Sequence, residues 1–182
     1  MPSQFMQDTG KKAMLFACMG LISGLVNGSG QFFLPDVQFI IDFYPAVFLG
    51  IFLFLAGKYL LYPDNKKQFL SLLILIIFSA LGWRLSVNYG YMWGGPAPYG
   101  NAGAVGAFFV ALGWLFSWRI HSGFVLFLAI ITIAGTAGGL IFQVIDTTIK
   151  MSETLWIFVL FVVWQIMLFL GIALASSLKI NK

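Results

Sequence analysis

The sequence predicts an all-α integral membrane protein, a single bundle of six transmembrane helices with a structured outer loop between helices 3 and 4. Three observations predict it. Of 182 residues, 60% are hydrophobic and only 9% are charged. A soluble domain carries about 25% charged residues, so this chain cannot cover a water-facing surface. The apolar residues gather into runs close to the ~20 residues that one span needs. The basic residues, finally, collect on one side of those runs.

The first span is placed at about 13–28. Lys11 and Lys12 precede it, but no small-x-small cleavage site follows, so it reads as a retained span rather than a signal peptide. Ala13/Ala17 and Gly20/Gly24 put pairs of small residues four apart on its surface, which suits close helix packing in lipid. The single Cys18 lies within it and excludes an internal disulfide. The second span is placed at about 38–61 and contains Asp42 and Pro45. Either Asp42 sits a turn inside a helix kinked by Pro45, or the helix proper begins at Tyr44 and Pro45 with Asp42 near its N-terminus. The second reading is preferred, because proline suits a first turn and a carboxylate complements the dipole there.

The third span is placed at about 69–85 after the polar break 62–67. The stretch 82–113 then interrupts the apolar runs for longest. It holds Arg84, the aromatic residues Trp83, Tyr89, Tyr91, Trp93 and Tyr99 around it, two amides (Asn88 and Asn101), and a Gly/Pro-rich turn. The fourth span, about 102–118, opens with Gly103 and Gly106 on a face nearly bare of side chains, and the fifth, about 123–145, offers a matching surface in Gly135 and Gly139. The sixth covers about 154–178. Thr132, Thr136, Gln143 and Gln165 read as polar groups that bond helices together.

Orientation follows from the basic residues. With a cytoplasmic N-terminus, Lys11, Lys12, Lys58, Lys66, Lys67, Arg119, Lys179 and Lys182 fall inside, and only Arg84 and Lys150 fall outside. Both termini are therefore expected in the cytoplasm of a cell whose plasma or bacterial inner membrane holds the chain. The net charge of +4 is spread over helix ends, which leaves no footprint for nucleic acid.

Asp42, Arg84 and Asp146 then stand about one turn inside the outer ends of three spans. Charges at such depth tend to face protein or a water-filled cavity. Arg84 has the fixed donors to clamp a carboxylate, whether from Asp42, Asp146 or a bound anion. The bland reading is a rim salt bridge, or snorkelling of Arg84 to the headgroups, with the aromatic residues as an interfacial belt. The functional reading is a ligand site in which Trp83, Asn88, Tyr89, Tyr91, Trp93 and Asn101 fold over a small polar or anionic molecule.

The phrases Ala13-x-x-x-Ala17 and Asp42-Phe-Tyr-Pro45-Ala-Val-Phe-Leu-Gly50 resemble the first two spans of the substrate-binding subunits of energy-coupling-factor vitamin importers, which share the chain length and the six spans. The Gly-Pro phrase usual near the end of that second span is replaced by Ala56-Gly-Lys-Tyr. The resemblance implies a solute bound near the outer face beneath aromatic loops.

Absences narrow the function classes. His121 is the only histidine, so no bis-His haem, copper or zinc site forms within the chain. No nucleophile elbow, HExxH or phosphate-binding glycine loop is present. The expectation is a non-enzymatic membrane protein without cofactor or metal. Small-solute transport, or the binding subunit of a transporter, stands first. A structural subunit packed against partner helices of a larger membrane complex stands second.

Overall fold

A computed structural model describes residues 9–33, 38–61, 68–92, 95–118 and 123–178, apart from the side chains of Gln31, residues 38–42 and Tyr89. These residues are mostly helical, with no strand among them. The helices are α1 (Thr9–Phe33), α2 (Gln38–Ala56), α3 (Gln68–Leu85), α4 (Pro98–Trp118), α5 (Phe124–Thr148) and α6 (Glu153–Ser177). α2 and α3 each end in a wider π-helical turn, Gly57–Leu61 and Ser86–Gly90. All six helices are long and apolar enough to cross a membrane, and the chain is a multi-pass membrane protein.

Connections this short join antiparallel neighbours. Each helix packs on the next in the chain, and α1 packs on α6, so the six helices close into a ring in sequence order. The α1–α6 seam is the most extensive interface. Lipid tails give little hydrophobic drive between helices, so contact depends on close approach of backbones. At this seam α1 presents glycine. A β-carbon on Gly20 would stand 2.7 Å from the Gln165 carbonyl oxygen, and one on Gly24 would stand 2.6 Å from Val162 Cα. Phe16 meets Phe169 one turn further on, with ring centroids 6.3 Å apart. Lys12 then donates from Nζ to the Ser176 carbonyl at 3.0 Å, where the last carbonyls of a helix lack amide partners.

The same device joins α4 to α5. Gly103 and Gly135 face each other so closely that neither has room for a side chain, and Gly139 lies against the Tyr99 carbonyl. A β-carbon on Gly106 would press on Trp164 at 2.9 Å. α3 and α4 are fastened by a reciprocal pair: Ser71 Oγ donates to the Ser117 carbonyl at 3.0 Å, and Ser117 Oγ to the Ser71 carbonyl at 3.1 Å. Large side chains, including Trp114, Phe127 and Phe142, fill the space between the helices. Outward faces carry residues such as Val125, Ile133 and Val144, as lipid requires.

Two local readings change. α2 begins at Gln38, so Pro45 is inside the helix and Asp42 lies in its second turn. The preferred start at Tyr44 and Pro45 is incorrect. An interior proline is tolerated in a membrane helix because neighbouring groups satisfy the backbone that it frees. The stretch 82–113 is also mostly helix. The π turn carries α3 to Gly90 with the Tyr91 amide bonded to the Ser86 carbonyl at 2.9 Å, and α4 begins at Pro98. Proline at that first position removes an amide that has no intrahelical partner in any case.

Candidate functional site

At the end of the bundle where α3 meets α4 and α5 meets α6, three rings cluster around Tyr99. Its centroid lies 5.3 Å from Tyr91, 5.1 Å from Phe142 and 5.9 Å from Trp156. Phe142 and Trp156 complete the set, edge to face at 5.1 Å. Such edge-to-face contacts align ring hydrogens with a neighbouring π face. The Tyr99 hydroxyl donates to Asp146 Oδ2 at 3.2 Å. One turn before Asp146, Gln143 Nε2 donates to the Pro96 carbonyl at 3.0 Å, which fastens the α3–α4 connection to α5.

The sequence explains how the cluster forms. Tyr99 is in the first turn of α4, and Gly139 on α5 lets its backbone come close. Phe142, Gln143 and Asp146 follow on the next two turns of α5. Ser152 caps α6 by accepting from the Leu155 amide at 3.3 Å, which sets Trp156 in the first turn. A carboxylate held by a tyrosine hydroxyl keeps free lone pairs for a second donor.

The expected site residues separate into groups. Tyr91 and Asp146 meet around Tyr99. Trp83 turns inward, where it stacks on Phe161 at 5.2 Å and 29° and lines a cavity on the bundle axis. Arg84 is exposed, on the α3 stripe of Leu73, Ile77 and Leu81, a position suited to snorkelling. Asn88 is half-buried in the π turn and Asn101 is exposed in the first turn of α4. Trp93 and the side chains of Asp42 and Tyr89 lie outside the described residues, as do Arg119 and His121.

Sequence reasoning did not select Phe142 or Trp156. The available signal was their place at the same ends of their spans as Tyr99, readable once the hairpins were paired. No known protein family, curated protein or solved structure matches the chain.

Proposed function

We propose that the protein binds a small polar solute at the Tyr99 end of the bundle and serves its passage across the membrane, alone or as the substrate-binding subunit of a transporter. The observation that carries this reading is the pairing of Tyr99 with Asp146 beside Tyr91, a residue 48% exposed. An aromatic face and a carboxylate are thus offered together at the bundle's end. In this reading Tyr91 stacks on the solute and Asp146 accepts its hydrogen bond. Asn88 and Asn101 belong to the same end of the bundle and supply further polar contacts, and in the sequence Asp42, Tyr89 and Trp93 fall at the same ends of their spans. The positive-inside bias puts that end on the outer side of the membrane.

The test is native mass spectrometry of the chain purified in mild detergent. A small molecule retained by the wild type and lost from Asp146→Asn is the expected outcome. Stoichiometric partner proteins with no small molecule would overturn the reading in favour of a structural subunit of a membrane complex.

A further inference from the structure

Asp146 lies in the last turn of α5, which ends at Thr148 and carries no basic residue there. The C-terminal end of a helix is the negative pole of its dipole, where a carboxylate is disfavoured and a cation is favoured. Asp146 is also half-buried, and its one hydrogen bond is the 3.2 Å contact from the Tyr99 hydroxyl to Oδ2. Neither Arg84 nor Lys150 pairs with it, so among the described residues this carboxylate has no counter-ion. Charges at such depth are ordinarily paired. The rings beside it are Tyr91 and Tyr99, with centroids 5.3 Å apart, and Trp156 at 5.9 Å from Tyr99. Aromatic faces are negative and attract cations as a carboxylate does. The sequence adds a wider field of the same sign. Asp36, Asp42, Asp146 and Glu153 fall at this end of their spans or in the connections beyond, against only Arg84 and Lys150 among the basic residues.

We propose that the solute taken at the Tyr99 end is an organic cation, a primary ammonium group on a small apolar body. This rests on the solute-binding reading above and names its chemical class. The second oxygen of Asp146 keeps its lone pairs for an N–H donor, and a charge-assisted bond to ammonium is about twice as strong as a neutral one. The exposed Tyr91 offers a π face to the ammonium and the carbons next to it. An anion is repelled by the same features, since Asp146, the carbonyl end of α5 and the ring faces are all negative. A neutral alcohol or amide would leave the carboxylate without a counter-ion. Only a cation answers all three.

The test is calorimetric titration of the full chain in nanodiscs of phosphatidylcholine, with empty nanodiscs as the partition background. The probes are benzylammonium, its neutral counterpart benzyl alcohol and its anionic counterpart benzoate. The expected result is saturable binding of benzylammonium alone. Asp146→Asn should weaken it about tenfold or more, the loss of a hydrogen bond to a charged group. Tyr91→Leu keeps apolar bulk but removes the π face and should weaken binding about threefold, whereas Tyr91→Phe should restore it. No saturable binding of benzylammonium, an equal affinity for benzyl alcohol or benzoate, or an unchanged affinity in Asp146→Asn would each overturn the assignment. Native mass spectrometry separates this failure from failure of the solute-binding reading. A neutral or anionic molecule retained by the wild type and lost from Asp146→Asn would overturn the cation alone, and partner proteins with no small molecule would overturn both. Should Asp146→Asn fail to fold, the three probes and the two Tyr91 variants decide the matter.

Discussion

Tyr99 performs two tasks with one side chain. Its ring joins Phe142 and Trp156 edge to face, and its hydroxyl reaches Asp146. These separate under mutation. Tyr99→Phe keeps the packing and removes the hydrogen bond, so it should cost about 1 kcal/mol, the usual size of such bonds in membrane bundles. Thermal unfolding in detergent would show a melting point lower by a few degrees. Tyr99→Ala also empties a site between two helices and should cost several times as much, in the range of about 3–5 kcal/mol seen for large aromatic truncations. Combining Tyr99→Phe with Asp146→Asn tests the pair directly. If the hydroxyl and carboxylate act on each other, the double change costs less than the sum of the two single ones.

Among the elements, the sharpest contrast is between glycines that meet backbone and the one that meets nothing. At Gly24 an added side chain runs into Val162 Cα and the Phe161 carbonyl, which no rotamer change relieves. Gly24→Leu should therefore exceed the ~1–3 kcal/mol usual for overpacking. A loss of the monodisperse peak in size-exclusion chromatography is the expected reading. Gly95, in the α3–α4 connection, has a φ of 53° and nothing within 4 Å. Gly95→Ala should cost only the left-handed backbone preference, about 1 kcal/mol, with the peak intact. The helices themselves were legible because lipid demands long apolar runs, and those runs were plain. Their ends were less so. Pro45 looked like a helix start because the rule for water-soluble helices was applied to a segment whose neighbours can satisfy a broken backbone. The first turn of α4, 98–101, was read as loop, although proline at its first position begins a helix. The π turn at Ser86 left no sign in the residue types. The glycines of α1 announced a close partner but carried no address, and only the structure names α6. For the same reason the meeting of α2, α3, α4 and α6 around one small cavity could not be read, since it depends on which helices share the axis.

For the molecule as a whole, the even number of antiparallel helices places Lys12 and Ser176 at one end and the Tyr99 cluster at the other. Single cysteines in place of Asn65 and Pro96, on a Cys18→Ala background, should react with an impermeant maleimide from opposite faces of the membrane. Labelling of both from the same face would break the alternation. The ring also has an order in time. Helices α2 to α5 can each pack on the helix made just before, but α1 must wait for α6, the last of the six to leave the ribosome, before its glycine face is covered. Until then Gly20, Gly24 and Gly28 stand against lipid or against whatever helix a chaperone or insertase lends them. A nascent chain arrested before residue 153 should thus expose α1 to crosslinking by the insertion machinery, and release should coincide with the arrival of Phe161 and Gln165. Because the seam joins the two ends of the helical ring, a permuted chain opened in the 62–67 connection, with the original ends linked, should close the same circle while letting α1 meet α6 in mid-synthesis.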